Sequence, residues 1–435
     1  MKLVKLSLFA IISVATISSV SNAKTLEDNR GGGYSHLTTS SLSSAGILEE
    51  TIKNIDISGY SRYRYDSRDN NTDGTKNTHR FTSDIDFKSA LDDNFFGVVG
   101  FRYDSRDASG ERTGANTRVG QNDSGYDNYG QTFNVRQFYL GYTAGNTTVT
   151  AGRQVLGTFF TDDMVGTGIK VLNNDINGLT LAGMAFDNLQ DDSDIVIAVL
   201  NLGPRNSTGT AVTKDQYVYD RNLYGVAAIG SYDPVSFQLW YAALDSVAQL
   251  YALDVTIGAN IADIDLSLQA QYAGSSMWAN NGAITNSRGA ILAILELDDA
   301  QFAAIKADAK AFGFDASAGY VWFDTDTNSL ISFEDQGSFI DAGEDLLNYT
   351  ALEGENKYWF LKAGYTFADK VRVGADYVSG RVTTNNVSVD EYEAVARVDY
   401  KYSKKLNFKT WYSYIDRYNS KYDAKHLRFE ARYNF

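Results

Sequence analysis

The sequence contains no cysteine, two prolines and three histidines among its 435 residues. The absence of cysteine excludes a disulfide scaffold, thiolate zinc and iron–sulfur sites, and thiol catalysis. Three histidines that are far apart in the chain argue against a histidine-based metal centre. Beyond residue 20 there is no run of about 18 uncharged apolar residues, which excludes a helical membrane protein.

Basic residues are scarce relative to acidic ones: 39 Lys and Arg face 54 Asp and Glu, giving a net charge of −15. Binding to nucleic acid needs an excess of cations to neutralise phosphates, so we expect no nucleic-acid partner. The sequence has no G-x-S-x-G, Walker A or H-E-x-x-H motif. The candidates for a catalytic base are His36, His79 and His426, which we interpret as surface or rim residues. We therefore expect no enzymatic activity and no organic cofactor.

The N-terminus has the three parts of a secretory signal. Lys2 and Lys5 precede an apolar stretch over residues 6–20, and small residues lead up to Ala23. This pattern predicts a signal peptide over residues 1–23, whose removal makes the exported chain more acidic. Residues 24–53, with three consecutive glycines and a Ser/Thr run, are predicted to be a flexible periplasmic lead-in segment.

Apolar and polar side chains alternate with a period of two through most of the chain. In the last nine residues, Leu427, Phe429, Ala431, Tyr433 and Phe435 alternate with polar residues. Only a strand places residues i, i+2 and i+4 on one face. The same pattern recurs at residues 81–88, 264–272, 359–367, 371–377 and 392–402.

Turn-forming pairs separate these runs, at Asp73-Gly74, Asn177-Gly178, Asp233-Pro234, Ala368-Asp369 and Ser403-Lys404. Alternating segments of about ten residues between turns are typical of a transmembrane β-barrel. Export, aromatic apolar faces and charged opposite faces favour this over a soluble β-sandwich.

The sequence thus predicts an all-β, transmembrane antiparallel β-barrel over residues 54–435. At about 20–24 residues per strand and connection it would have 18 or 16 strands, and a barrel of that width leaves an aqueous channel. Residues 105–131 are predicted to be a long loop. Residues 290–311 are either a loop helix or, as we favour, mostly strand.

Acidic residues cluster in three predicted loops. Hard carboxylate oxygens at several loop positions are what Ca²⁺ needs, since it takes about six to eight oxygen ligands. The alternative is that acidic extracellular loops are simply solvated. The clusters comprise Asp162 and Asp163; Asp187, Asp191, Asp192 and Asp194; and Glu334, Asp335, Asp341, Glu344 and Asp345.

Arginines fall on the polar faces of several predicted strands. Arg62 and Arg64 share a face with Asp56, opposite Ile55 and Ile57. Arginines on a channel wall that faces acidic loops would create a transverse field, which orients dipolar solutes and sets ion selectivity. Ordinary solvation of the channel side is the alternative. The predicted pore-lining residues are Arg62, Arg64, Arg136, Arg372, Arg397 and Arg428.

Several segments resemble the Campylobacter-type major outer membrane protein, a porin family. The resemblance covers most of the chain. It is carried by Leu48-Glu49-Glu50, Arg62-Tyr63-Arg64-Tyr65-Asp66, Val135-Arg136-Gln137-Phe138, Val165-Gly166-Thr167-Gly168-Ile169-Lys170-Val171, Phe333-Glu334-Asp335-Gln336-Gly337 and Glu393-Ala394-Val395-Ala396-Arg397.

The resemblance implies an 18-stranded, trimeric general-diffusion porin with Ca²⁺ held by acids near the constriction. The implied ligands are Glu334, one of Asp162 and Asp163, and one of Asp191, Asp192 and Asp194. The sequence departs from the family pattern in two places. The loop before Val165 looks about three residues shorter, and residues 28–47 look inserted.

Taken together, the sequence predicts a porin of the Gram-negative outer membrane that passes small hydrophilic solutes and prefers cations. Its expected partners are the lipid bilayer, lipopolysaccharide and two further copies of itself. Two alternatives remain open, a substrate-specific channel for small carboxylates and a surface adhesin that acts through its extracellular loops.

Overall fold

A computed structural model describes most of the chain from residue 55 to the C-terminus. The predicted signal peptide and lead-in segment, and the predicted loop from residue 106 onward, lie outside the described residues. The ranges described are 55–71, 74–105, 133–190, 222–245, 248–278, 282–285, 291–295, 299–325, 331–333, 337–347, 354–384, 387–417 and 423–435.

The described residues form β-strands joined by turns and loops, and they contain no helix long and apolar enough to cross a membrane. The first ten strands are β1 Ile55–Asn70, β2 Gly74–Ala90, β3 Phe95–Asp104, β4 Phe133–Ala144, β5 Thr147–Val155, β6 Val165–Asn173, β7 Leu179–Gln190, β8 Leu223–Tyr232, β9 Val235–Leu244 and β10 Ala248–Ile261. The others are β11 Ile264–Met277, β12 Gly282–Thr285, β13 Ile291–Leu295, β14 Ala300–Ala311, β15 Phe314–Thr325, β16 Gly354–Phe367, β17 Val371–Thr384, β18 Val387–Lys401, β19 Leu406–Asp416 and β20 Ala424–Asn434.

Eighteen of these strands form one closed antiparallel sheet, and β12 and β13 form a separate hairpin. Each strand pairs with its neighbours along the chain, and β1 also pairs with β20, which closes the barrel. The last residue joins this seam, since the Phe435 amide donates to the Gly59 carbonyl at 3.1 Å. The barrel therefore confirms the predicted fold and decides between 16 and 18 strands. It also gives the predicted strand over most of residues 290–311.

The turns at one end of the barrel are all short, and the long connections are all at the other end. The predicted turns at Asn177-Gly178, Asp233-Pro234, Ala368-Asp369 and Ser403-Lys404 are all at the short end. Asp73 lies outside the described residues. In outer-membrane barrels the short turns are periplasmic and the long loops extracellular, which orients the molecule.

The two faces of the sheet differ as the alternation predicts. Large apolar side chains such as Leu361, Leu140 and Tyr412 are exposed on the outside. Charged side chains occupy the inner face, where Arg62 is 8 % exposed and Glu393 is fully buried. This is the arrangement of a barrel with lipid outside and a polar lumen.

Two extracellular connections fold into the lumen and pack together. Inner loop A comprises residues 156–164, and inner loop B connects β15 to β16, with residues 331–333 and 337–347 described. Phe159 of loop A contacts Phe339 of loop B at 4.9 Å between ring centroids, and Phe160 contacts Phe333 at 6.0 Å. The Phe333 amide also donates to the Phe160 carbonyl at 2.8 Å.

The inner loops cover one side of the barrel wall. Their aromatic side chains pack on apolar inward-facing residues of β7 to β17, and the result is a hydrophobic core inside the lumen. The sequence did not predict this core, because the acidic residues of these segments suggested solvated loops. Its wall residues include Leu223, Trp240, Leu250, Phe302, Phe323, Tyr358, Phe360 and Val378.

The outward face gives a first testable prediction. Leu361 lies in the middle of β16 and is 52 % exposed, so Leu361→Arg places a charge against lipid. We expect a loss of about 2–4 kcal/mol in the free energy of unfolding, measured by denaturant titration in lipid vesicles. Lys362→Arg, one residue along on the inner face, is the control. Equal stability of the two variants would contradict the assignment of the faces.

Candidate pore constriction

Inner loop A ends in a carboxylate that faces arginines of β3 and β4. Asp163 Oδ2 accepts hydrogen bonds from Arg136 at 2.8 Å and Arg102 at 3.2 Å. Arg136 also donates to the Asp163 carbonyl at 2.7 Å and to Asp84 at 2.9 Å. Where β4 pairs with β3, Arg136 is the extra residue of a β-bulge. The bulge brings Arg136 and Gln137 to the inner side together. The end of loop A is thereby fixed against β2, β3 and β4.

The wall from β20 to β4 carries closely spaced ion pairs. Arg64 donates to Glu430 at 3.1 Å, and Arg428 donates to Asp66 at 2.6 Å. Arg80 forms a bidentate pair with Asp104. These pairs are largely removed from solvent, so each charge depends on its partner for stability.

Two arginines of this wall lie close to one aromatic ring. Arg62 and Arg432 face each other across the seam between β1 and β20. The guanidinium of Arg432 lies 3.9 Å from the ring centroid of Tyr60, and that of Arg62 lies 5.7 Å from it. Cation–π contacts of this kind stabilise a guanidinium that faces a lumen.

A half-buried lysine anchors the start of loop A. Lys170 of β6 donates its ammonium protons to the carbonyls of Val155 and Leu156, at 2.9 and 3.2 Å. These carbonyls stand where β5 ends and the chain turns inward, and Gly157 follows with φ of 66°. The lysine thus supplies donors to backbone groups that the sheet no longer pairs.

The backbone of inner loop B is held by a buried carboxylate. Glu393 of β18 accepts hydrogen bonds from the amides of Glu344, Asp345 and Leu346, at 3.0, 3.2 and 3.1 Å. Its Oε1 also accepts the hydroxyl proton of Ser413 at 2.5 Å. A carboxylate that accepts several amide protons is well compensated for its burial.

The side chains of loop B form ion pairs with the wall. Glu344 pairs with Arg397 at 2.9 Å, and Arg397 also pairs with Asp376 of β17. Asp345 accepts a hydrogen bond from His426 of β20 at 2.7 Å. At the other end of the loop, Gln271 of β11 donates to the Ser338 carbonyl at 2.9 Å.

Burial and partners shift the two loop carboxyls in opposite directions. Burial raises the pKa of Glu344, and Arg397 only partly offsets this. Burial also opposes ionisation of Asp345, but the hydrogen bond from His426 outweighs it and lowers the pKa of Asp345. Because that pKa is depressed, Asp345 stays ionised until the pH falls below the usual aspartate range of about 4.

The predicted pore-lining residues divide into two groups. Arg62, Arg64, Arg136, Arg397 and Arg428 lie on the inner wall near the inner loops. Arg372 lies instead beside the periplasmic turn after β16, where it pairs with Asp315 at 2.5 Å.

His426 differs from its interpretation as a surface or rim residue, whereas His79 is exposed as expected and His36 lies outside the described residues. His426 is buried in the lumen, with 3 % of its surface exposed, because loop B covers the start of β20. His79 lies near the extracellular end of β2 and contacts the Tyr63 hydroxyl at 2.6 Å. Lys170, Glu393 and His426 are the positioning residues that sequence reasoning missed. Lys170 stood inside a segment that carried the family resemblance but had no visible polar partner.

The predicted calcium ligands are only partly within the described residues. Asp162 and Asp163 lie in loop A, whereas Asp191, Asp192, Asp194 and Glu334 lie outside the described residues. Asp163 Oδ1 is buried and has no hydrogen-bond partner there, which suits a cation ligand, but the two arginines on Oδ2 oppose a divalent ion. No group of three or more acidic or histidine side chains in the described ranges is placed to hold a metal.

Comparisons with solved structures give the same architecture. OccAB3 of Acinetobacter baumannii is 13 % identical, with a TM-score of 0.66, and the match covers 88 % of this chain and 99 % of that one. OccK8 (OprE) of Pseudomonas aeruginosa is 14 % identical at 0.64, with the same coverage. OpdK of Pseudomonas aeruginosa, solved with vanillate, is 14 % identical at 0.62, also with the same coverage. At these identities the likeness shows the fold alone.

The molecule is a porin of the Gram-negative outer membrane. Its class is defined by the closed 18-stranded barrel, the charged inner wall and the loops that fold into the lumen. No curated protein matches the chain. A family model matches residues 35–435, and the chain belongs to the Campylobacter major outer membrane protein family. It is a channel and not an enzyme.

Lys170 gives a second testable prediction. Lys170→Met leaves two buried carbonyl oxygens without their donor, so we expect the free energy of unfolding to fall by about 1–3 kcal/mol. The measurement is denaturant unfolding of the refolded protein in detergent. Lys404→Met, in an exposed periplasmic turn, is the matched control. If both variants are as stable as the wild type, Lys170 does not anchor loop A.

Proposed function

We propose that the protein is a general-diffusion porin whose water-filled channel passes small hydrophilic solutes and prefers cations. The observation that carries this proposal is the position of the inner loops. They pack against one side of an 18-stranded barrel and present Asp163, Glu344 and Asp345 to a wall of arginines. Loops held at fixed positions narrow such a lumen without requiring that it be blocked.

The charge balance supports the preference for cations. The chain carries a net charge of −15, and much of the acidic excess lies in extracellular connections. The arginines of the described wall are largely neutralised by Glu430, Asp66, Asp104 and Asp84, so they add little net positive charge. Acidic residues at a channel mouth raise the local concentration of cations.

We also propose that Ca²⁺ binds near the end of loop A. Ser332 and Phe333 on one side of residues 334–336, and Ser338 on the other, hydrogen-bond to carbonyls of Phe159 and Phe160. This supports a short path in space between the chain near Glu334 and Asp163. The arginines on Asp163 mean that a stable site needs carboxylates from both Glu334 and residues 191–194.

Assembly into a homotrimer, contact with lipopolysaccharide and export by a signal peptide are proposed from the family resemblance and the N-terminal sequence. Chemical crosslinking of intact outer membranes tests the trimer, because a monomeric channel would give no trimer-sized product. N-terminal sequencing of the purified protein tests cleavage after Ala23.

The conductance experiment tests the proposed channel. In a planar bilayer with a KCl gradient we expect large open steps and a reversal potential that favours K⁺. EDTA should change this potential if a divalent ion lies in the conduction path. Absence of steps would refute the channel, and a reversal potential that favours Cl⁻ would refute the preference for cations.

Asp163 provides a residue-level version of this test. Asp163→Asn removes a negative charge that faces Arg102 and Arg136, so we expect selectivity to shift towards anions, with the permeability ratio P(K⁺)/P(Cl⁻) falling about twofold. Asp369→Asn, in an exposed periplasmic turn, controls for the loss of any one carboxylate. A shift of equal size in both variants would mean that Asp163 has no special place in the conduction path.

A substrate-specific channel for small carboxylates is the second candidate. The arginine wall favours it, in particular the two guanidiniums beside Tyr60. A carboxylate that binds this wall would block ion current with a saturable concentration dependence. Simple diffusion would give a flux that rises linearly with solute concentration.

A further inference from the structure

His426 occupies a position between the barrel wall and inner loop B. Its Nε2 lies 2.7 Å from Asp66 Oδ1 on β1, and its Nδ1 lies 2.7 Å from Asp345 Oδ2 on loop B. The ring packs edge-to-face on Trp411 of β19, with 4.4 Å between centroids. One imidazole therefore joins a side chain of the wall to a side chain of the loop.

The chemistry of the ring decides which protonation state fits this position. A neutral imidazole has one N–H and one lone pair, so it can donate to only one of the two carboxylates. Its lone pair would then face the oxygen of the other carboxylate at 2.7 Å. Only the imidazolium donates from both nitrogens. Arg68 Nε also lies 3.4 Å from Nε2, which could accept its proton only in the neutral ring, but the two 2.7 Å contacts to carboxylates fit the imidazolium better.

The surrounding charges predict what happens when the proton leaves. On the wall side, Asp66 keeps Arg428, whose Nε lies 2.6 Å away. On the loop side, the closest ion pair that the described residues leave to Asp345 is with Arg68, at 3.5 Å, and the side chain of Arg68 is 60 % exposed. Loss of the proton therefore affects the loop carboxylate more than the wall carboxylate.

The remaining contacts of loop B limit the size of the change. Glu393, itself hydrogen-bonded to Ser413, still holds the backbone at residues 344–346. Arg397 still pairs with Glu344. Loop B thus stays in the lumen, and the change is confined to the side chain of Asp345 and its electrostatic field.

We propose that His426 is a proton-dependent positioning residue of the channel. As an imidazolium it fixes and neutralises Asp345; when it loses its proton, the Asp345 carboxylate is released towards the lumen and the channel becomes more selective for cations. This proposal rests on the proposed conduction of ions, and it adds control of selectivity by pH.

The test is the reversal potential of the purified full-length protein in a planar bilayer, under a KCl gradient between pH 5.5 and 8.5. Ordinary Asp and Glu are ionised throughout this range, and ordinary Lys and Arg keep their protons. Glu344, whose pKa burial raises, and the buried Glu393 also lie at loop B, so the variants below are needed to assign a rise to His426. We expect P(K⁺)/P(Cl⁻) of the wild type to rise about twofold across it. Channel steps with no rise would overturn the proposal, whereas absence of channel steps would refute conduction itself.

Three variants assign the rise to His426. His426→Gln keeps a polar side chain without a titrating proton, so its selectivity should be constant at the high-pH value. His426→Lys keeps a permanent positive charge and should stay at the low-pH value, which also serves if the Gln variant fails to fold. His79→Gln removes a histidine that contacts Tyr63 on the neighbouring strand, and it should behave as the wild type. A pH-dependent rise that survives in His426→Gln, or is lost in His79→Gln, would overturn the proposal.

Discussion

Closure of the sheet between β1 and β20 is the constraint on which the rest of the molecule depends. A backbone in contact with lipid must pair all its amides and carbonyls, and an open sheet would leave two unpaired edges. The seam from Tyr60–Asn434 to Asn70–Ala424 removes those edges. Once the sheet is closed, the alternation of side chains has a fixed meaning, with one face towards lipid and the other towards the lumen. A charged residue on the inner face then needs either water or a partner.

The inner loops narrow a wide lumen, and both their apolar and their polar groups find partners on the wall. Their aromatic side chains pack against the apolar inward-facing residues of the wall. Burial of this apolar surface is the main driving force that holds the loops inside the lumen. The ends of both loops are fixed by hydrogen bonds between wall side chains and the loop backbone. Lys170 holds two carbonyls of loop A, and Glu393 holds three amides of loop B. Gly343 is tightly constrained, since a Cβ there would lie 2.1 Å from Glu393 Oε2, so no side chain fits where the loop meets the wall.

The sequence predicts the strands well and the constriction only in part. Alternation is a local property, so residues 427–435 and 392–402 show it without knowledge of the fold. Arg62 and Arg64 are placed on the inner wall by the same rule. The pairing of Glu393 with the amides at residues 344–346 joins positions about 50 residues apart and has no local signature. His426 follows the alternation of β20 like its neighbours, and its burial depends on a loop that lies 81 positions earlier.

One signal in the sequence could have revealed the inner loops. Phe159 and Phe160 lie in a connection flanked by Gly157 and Gly166. If these two adjacent aromatic side chains were exposed to water, they would form an apolar surface patch. Phe333 and Phe339 flank the acidic segment in the same way. Acidic residues drew attention to both connections, and their charge suggested solvation. The aromatic residues beside them indicate burial instead, and their packing determines where the loops lie.

The inner loops also connect parts of the wall that are far apart around the barrel. Their aromatic side chains pack on β7 to β17, while Asp163 pairs with Arg136 of β4 and Asp345 with His426 of β20. Force applied to one side of the barrel is therefore passed through the packed loops to the other side, since packed protein interiors have low compressibility. The loops thus stiffen the cross-section of the barrel against lateral pressure from the bilayer.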